Sequence, residues 1–272
     1  MRALTREGSV AFEAVRGVRR RRADNRADHG GRARKPYARP GRLAATEPVL
    51  LVPGFMAGDW SLLRMAGYLR EQGLRTYRAR ITLNSGCTMR AADRLESRIE
   101  SIAIRRDSKV TIVGHSLGGM LARGLAARRP DLVAGIVTMG SPVLAPGAVH
   151  ALLAWDTEIL TRLSRAGFGG VMSEDCVRGR CARASWEESQ LPLDPSLGYT
   201  AIYSRRDGIV DWRSCLDPFA EQVEVRTSHV GMALDPDVFD KVLAALQSQR
   251  FNRASRPAAP VVSAGPRRVV SR

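Results

Sequence analysis

The stretch Lys109-Val-Thr-Ile-Val-Gly-His-Ser-Leu-Gly-Gly119 decides the fold class of this chain. Its first five residues are mostly β-branched, which predicts a buried strand over 109–113. Residues 117–128 have helical composition and stop before Pro130, so they predict a helix. A sharp strand-to-helix turn therefore carries Ser116, with a glycine two positions to either side.

A serine at such a turn is a candidate nucleophile. The flanking glycines leave room for neighbouring chain segments, and the strained turn lifts the hydroxyl clear of the sheet. The start of the following helix favours negative charge. The motif Gly-His-Ser-Leu-Gly at 114–118 therefore predicts nucleophilic chemistry at Ser116, provided that a base lies nearby.

Four histidines could supply that base. His229 lies after the last predicted strand and before the last predicted helix, where the chain order nucleophile, acid, base requires it. His29 falls in a basic head segment, and His115 is expected to pack or hydrogen bond beside the turn. His150 is expected at the surface or in a lid. We therefore predict that His229 is the general base.

The remaining site residues follow from the ends of other predicted strands. The acid that orients the imidazole should follow the strand over 198–204, where Asp207 and Asp211 both qualify. We favour Asp207, in the Asp-Gly turn nearest the strand, and expect Asp211 to be a structural cap. An oxyanion would need two backbone N–H donors, and we predict those of Phe55 and Leu117.

Strands alternate with helices through the middle of the chain, which predicts an α/β fold with a mostly parallel sheet. We expect about six strands, with helices on both faces. The predicted strands cover 47–52, 74–81, 109–113, 132–139, 198–204 and 223–227. The predicted helices cover 59–72, 89–104, 117–128 and 236–249, the first with Asp59 as its N-cap and Gly73 as its C-cap.

The positive charge divides the chain into three parts. Of the net charge of +16, residues 1–45 contribute +9 and residues 251–272 contribute +5, so residues 46–250 are nearly neutral. We predict a basic disordered head over 1–45, one folded domain over 46–250 and a basic disordered tail over 251–272. Residues 142–197 exceed what a connection between two strands needs, and they predict a lid-like insertion.

Other patterns limit the function. Cys176-x4-Cys181 has no second cysteine pair or histidine nearby, so the spacing predicts no metal site, although a disulfide between these two cysteines would suit an oxidising compartment. Neither an apolar run of 18 residues nor an export signal is visible, which makes the cytoplasm the expected location. The basic ends have few aromatic residues and no nucleic-acid-binding motif. We expect no specific nucleic acid, but peripheral contact of the ends with an anionic membrane.

Three segments together resemble the α/β-hydrolase superfamily, and within it bacterial lipases and esterases. They are Gly-His-Ser-Leu-Gly-Gly at 114–119, Val-Pro-Gly-Phe at 52–55 and Asp-Gly-Ile-Val at 207–210. The resemblance covers about residues 47–248 and implies hydrolysis of carboxylic esters, often of lipids, without a cofactor or metal. It also implies that the insertion over 142–197 takes the place of the lid.

Two features depart from the larger members of that superfamily. The chain has no room for the two strands that they carry before the oxyanion strand, and it shows no export signal. The second departure favours a cellular ester or lipid as substrate. An acyltransferase that uses the same three residues is the alternative, since an alcohol can replace water in the second step.

Overall fold

The computed structural model describes residues 47–144 and 171–255. The predicted head over 1–45, with His29, lies outside the described residues, and so do His150 and residues 256–272 of the predicted tail.

A six-stranded parallel sheet forms the centre of the described chain, with strand order β2-β1-β3-β4-β5-β6. This confirms the predicted fold class and strand number. The strands are β1 (Pro48–Val52), β2 (Arg75–Arg78), β3 (Val110–His115), β4 (Val133–Met139), β5 (Gly198–Ser204) and β6 (Glu221–Val225).

Six α-helices accompany the sheet in the part of the chain that is described. They are α1 (Leu63–Glu71), α2 (Thr88–Arg106), α3 (Leu117–Arg128), α4 (Glu174–Arg178), α5 (Arg180–Gln190) and α6 (Pro236–Ala254). Short 3-10 helices occupy Asp59–Leu62, Trp212–Cys215 and Val230–Ala233. Within residues 47–144 and 171–255, no helix is both long enough and apolar enough to span a bilayer.

The two faces of the sheet bury two separate apolar clusters. Side chains of a strand alternate between faces, so Leu51 packs with α1 and α6 while its neighbour Leu50 packs with α2 and α3. β1, β3 and β4 are buried along their whole length. Such burial on both faces explains why these strands read as continuous apolar runs.

The start of the first predicted helix differs from the sequence prediction. Asp59 does not cap an α-helix; it begins a 3-10 turn, and its carboxylate accepts the backbone N–H of Arg80 at 2.9 Å. The α-helix begins only at Leu63 and ends at Glu71. Gly73, the predicted cap, takes a left-handed φ of 84° just beyond that end.

The last helix is longer than predicted, and it includes residues 251–254 of the segment that was predicted to be a disordered tail. It continues through Ala254 because its second half is anchored to the sheet by side chains. Gln249 donates to the carbonyl oxygen of Ile136 at 3.0 Å, and Arg253 donates to that of Ala134 at 3.0 Å. The apolar pattern ends near Gln249, so these polar anchors were not visible in the sequence.

Candidate active site

Ser116 lies at the carboxyl end of β3, one residue before α3 begins. Its backbone has φ 53° and ψ −121°, a conformation that a non-glycine residue adopts only under strain. The backbone N–H of Ser116 donates to the carbonyl oxygen of Met139 at 2.8 Å, which ties the turn to β4. This is the sharp strand-to-helix turn that the sequence predicted.

The glycines around Ser116 are required by close packing. A Cβ atom on Gly118 would lie 2.3 Å from the carbonyl oxygen of Val52, and one on Gly114 would lie 2.4 Å from that of Gly118. A Cβ on Gly54 would contact Cβ of Ser116 at 3.0 Å. The loop after β1 therefore passes directly against the turn that carries Ser116.

Asp207 and His229 form a buried pair at the same edge of the sheet. Nδ1 of His229 lies 2.6 Å from Oδ2 of Asp207, and both side chains are almost fully buried. The other carboxylate oxygen of Asp207 accepts the backbone N–H groups of Ile209 at 2.9 Å and Val210 at 2.7 Å. The carboxylate is thus held by its own turn, and His229 presents Nε2 as its remaining ring nitrogen.

Asp211 lies apart from this pair. It is the N-cap of the 3-10 helix Trp212–Cys215, where its carboxylate accepts the backbone N–H of Arg213 at 3.0 Å. It also forms an exposed ion pair with the Arg213 guanidinium. The structure therefore gives Asp211 the capping role that the sequence predicted, and Asp207 the contact with the imidazole.

His115 packs against His229 and forms a hydrogen bond with its backbone. Its Nε2 donates to the backbone carbonyl of His229 at 3.0 Å, and the two ring centroids lie 4.9 Å apart. Burial, together with the neighbouring His229, lowers the pKa of His115 to about 3. His115 is therefore neutral at ordinary pH, and it is a positioning residue rather than a second base.

Gly140 is a site residue that the sequence analysis did not identify. It follows β4 with φ 56°, and a Cβ there would lie 3.1 Å from Nδ1 of His229 and 3.2 Å from Oδ2 of Asp207. The glycine therefore makes room for the acid–base pair. A glycine directly after a buried strand is the signal that could have pointed to it.

Phe55 and Leu117, the predicted oxyanion donors, both lie close to Ser116. Phe55 follows Gly54, which packs against Ser116, and Leu117 is the first residue of α3. Among the described residues, no backbone carbonyl accepts either N–H. The oxyanion role of the two N–H groups remains a prediction.

The loop that carries Phe55 is fixed by Asn84, which the sequence analysis also missed. The buried side-chain amide of Asn84 donates to the carbonyl oxygen of Pro53 at 2.9 Å. Its backbone N–H donates to Ala57, and its carbonyl accepts the N–H of Met56. Three hydrogen bonds from one residue therefore hold the shape of this loop.

Part of the predicted insertion is described, from 171 onward, and it packs against the site. Met172 and Cys176 are buried against Phe55 and Leu117. Trp186 lies half-buried in α5. The predicted covering role of the whole insertion over 142–197 remains a prediction.

A sizeable cavity lies apart from Ser116, Asp207 and His229. It measures about 760 Å³ and lies between the loop after β2 and the start of α2. Four of its seventeen lining residues are arginines, and its walls include neither Ser116 nor His229. We therefore do not assign it to the acyl group of a substrate.

Comparison with known proteins supports the fold class. Residues 65–166 match the family model of the alpha/beta hydrolase fold. The triacylglycerol lipase of Vibrio cholerae serotype O1 is 32% identical over 100 residues, which are 34% of this chain and 31% of the relative. The triacylglycerol lipase of Burkholderia plantarii is 33% identical over 110 residues, which are 36% of this chain and 30% of the relative.

Solved structures with the same fold match more of the chain. The mature lipase BlEst2 of Bacillus licheniformis superposes with a TM-score of 0.58 at 16% identity, over 74% of this chain and 92% of that one. The monoacylglycerol lipase of Paleococcus ferrophilus gives 0.52 at 15% identity, over 76% and 96%. At 15–16% sequence identity, this similarity shows the fold alone.

The chain has the α/β-hydrolase fold, and about a third of it resembles bacterial triacylglycerol lipases. It spans about a third of the length of the curated lipases that it matches. The matched family segment includes Ser116 but ends before Asp207 and His229. The structure, rather than the family match, brings the acid and the base together.

Proposed function

We propose that this protein is a serine hydrolase that cleaves carboxylic esters through an acyl-enzyme on Ser116. The observation that carries the proposal is the combination of a strained serine turn with a buried Asp207–His229 pair at the same sheet edge. The matched lipases support hydrolysis rather than acyl transfer to an alcohol.

The reaction would proceed in two steps. Ser116 attacks the ester carbonyl while Nε2 of His229 takes the hydroxyl proton, and Asp207 stabilises the resulting imidazolium. The N–H groups of Phe55 and Leu117 donate to the oxyanion, and His229 then protonates the departing alcohol. Water repeats the sequence and releases the acid, so the chemistry needs no cofactor.

Replacing the nucleophile tests the activity. Ser116→Ala should reduce hydrolysis of a p-nitrophenyl ester by at least about 10³-fold, since triad members act as a unit. His229→Ala should give a similar loss. An Asp211→Ala variant is the matched control, because it changes an exposed cap on a neighbouring turn. Hydrolysis by Ser116→Ala at the wild-type rate would rule out the proposal.

We infer that the substrate is lipid-like. The described part of the insertion brings apolar side chains against Phe55 and Leu117, and an apolar cover suits an acyl chain. kcat/KM should therefore rise from acetyl to medium-chain p-nitrophenyl esters. A flat or falling profile would instead identify an esterase for small esters.

We further propose peripheral contact between the basic ends and an anionic membrane. Residues 1–45 and 251–272 together hold +14 of the net charge of +16. Each basic residue near an anionic surface contributes about 1 kcal/mol, and salt screens the attraction. The full chain should co-sediment with anionic vesicles at low salt and dissociate at high salt. Equal sedimentation with neutral vesicles would contradict this proposal.

A further inference from the structure

Three cysteines from distant parts of the sequence meet beside the candidate active site. Cys87 immediately precedes α2, Cys176 lies in α4 and Cys181 lies in α5. Their Sγ atoms all lie within 4.8 Å of one another, and those of Cys87 and Cys181 are 3.9 Å apart. All three are free thiols in the structure.

The local fold explains why they meet. A tight turn at Gly179 joins α4 to α5 and brings Cys176 and Cys181 to the same place; a Cβ on Gly179 would lie 2.3 Å from Oδ1 of Asp175. The backbone N–H of Met172 donates to the carbonyl oxygen of Ser85 at 2.8 Å. That bond fixes this part of the insertion next to the loop that carries Cys87.

We propose that Cys87, Cys176 and Cys181 bind a zinc ion. Zn²⁺ prefers tetrahedral thiolate ligands at about 2.3 Å, which places the sulfur atoms about 3.8 Å apart. The observed distance of 3.9 Å between Cys87 and Cys181 fits that spacing. A disulfide would require about 2.05 Å between two sulfur atoms and would leave the third cysteine unpaired.

The fourth position of the ion is left to a ligand from solution. Among the described residues, no carboxylate or imidazole joins the three sulfur atoms within 4.8 Å. Asp175 lies next to Cys176 in the sequence, and its Oδ1 accepts the backbone N–H of Arg180 at 2.8 Å. A zinc ion with three protein ligands can hold water in its fourth position.

The position of Cys87 favours a bound thiolate. It is the N-cap residue of α2, and the N-terminus of a helix stabilises negative charge. Apolar side chains pack on one side of the cluster, where Phe55 and Leu117 contact Met172 and Cys176. On the other side, Cys87 is half-buried and lines the cavity of about 760 Å³, which gives an ion a route to the thiols.

The position of the site gives the ion a structural role. Cys87 lies between β2 and α2 in the central α/β part of the chain, whereas Cys176 and Cys181 belong to the insertion. A zinc ion would therefore cross-link the insertion, which packs against Phe55 and Leu117, to the start of α2. Spacing alone could not reveal the site, because 94 positions separate Cys87 from Cys181.

Metal content of the purified full-length chain tests the proposal. We expect about one zinc per chain by elemental mass spectrometry, and less than about a tenth of that in Cys87→Ala and Cys181→Ala. Cys215→Ala is the matched control, since Cys215 is buried but outside the cluster, and it should keep the zinc. Co²⁺ exchanged into the wild type should give thiolate charge-transfer absorption and tetrahedral ligand-field bands.

A second measurement covers variants that fail to fold. Titration of the wild-type thiols with a mercurial reagent should release zinc in step with the loss of thiols. A wild-type chain that carries no zinc and takes up neither Zn²⁺ nor Co²⁺ after reduction would overturn the proposal. A chain lighter by two hydrogen masses, with a disulfide among these cysteines, would overturn it as well.

Discussion

Nδ1 of His229 lies 2.6 Å from Oδ2 of Asp207, while Oδ1 of the same carboxylate accepts two backbone N–H groups of its own turn. The two carboxylate oxygens thus have separate tasks. One holds the side chain in place, and the other orients the imidazole and stabilises its charged form.

Asparagine substitutions separate the two aspartates. Asp207→Asn should lower kcat by about 10³–10⁴-fold, because the amide can favour the wrong tautomer of His229. Asp211→Asn should lower it less than about threefold, since the capping carboxylate acts only on its own turn. Steady-state hydrolysis of a soluble p-nitrophenyl ester measures both. The opposite ranking would transfer the role of the acid to Asp211.

Gly140 should matter through the space that it leaves. In Gly140→Ala, a Cβ would press on both members of the acid–base pair, and a φ of 56° is unfavourable for alanine by about 1–2 kcal/mol. We expect kcat to fall by about tenfold or more. We also expect the free energy of unfolding to fall by about 1–2 kcal/mol.

Gly67→Ala is the control for this substitution. Nothing lies within 4 Å of a Cβ at Gly67, which belongs to α1. Alanine there should leave kcat unchanged and stabilise the helix by about 0.5–1 kcal/mol. Urea unfolding and ester hydrolysis give both quantities. Wild-type kcat in Gly140→Ala would show that the pair tolerates the extra atom.

A buried ion pair joins α3, the helix that follows Ser116, to the segment before β6. Arg123 of α3 donates to Asp217 at 2.6 Å and to the carbonyl oxygen of Leu191 at 3.1 Å, and both charged side chains are almost fully buried. Arg123→Met leaves Asp217 charged without its partner, so the free energy of unfolding should fall by about 3–5 kcal/mol.

Arg213→Met is the matched control, because the Arg213–Asp211 pair is exposed to solvent. Its cost should stay below about 1 kcal/mol. Denaturant unfolding of both variants would decide the matter. Equal, small effects would mean that the Arg123 pair contributes no more than a surface pair.

His115 should make stability depend on pH. Its pKa is about 3 in the folded chain against an ordinary value of 6.5, so the unfolded chain binds the extra proton between these two pH values. Stability linked to His115 is therefore complete above about pH 6.5 and is lost as the pH falls toward 3, by up to about 1.4 kcal/mol per pH unit.

His115→Gln removes that titrating group but keeps a hydrogen-bond donor. The free energy of unfolding of the variant should decline less steeply from pH 7 to pH 4.5 than that of the wild type. Urea titrations across this range provide the comparison. Parallel pH profiles would contradict a buried, neutral His115.

Most of the fold could be predicted because the signals for its strands and helices lie in short stretches of neighbouring residues. The apolar runs of β1, β3 and β4 sit between turn residues, and the boundaries of α3 and β5 agree with the structure to the residue. Boundaries were less accurate where polar contacts decide them. α6 extends five residues beyond Gln249 because Arg253 is anchored on a strand backbone.

In the site, too, some residues could be predicted from the sequence and others could not. Ser116, Asp207 and His229 follow from motif and chain order, and the structure brings Asp207 and His229 into contact. Gly140, Asn84 and the cysteine cluster were not predicted, because their roles depend on partners that are distant in sequence.

Covalent labelling tests the central claim most directly. The full-length chain, treated with a fluorophosphonate and digested, should carry a single modification on the peptide that contains Ser116. The His229→Ala variant should label far more slowly, because the serine would lack its base. Modification of another residue, or no labelling of a folded chain that still hydrolyses esters, would contradict the assignment of Ser116 as the nucleophile.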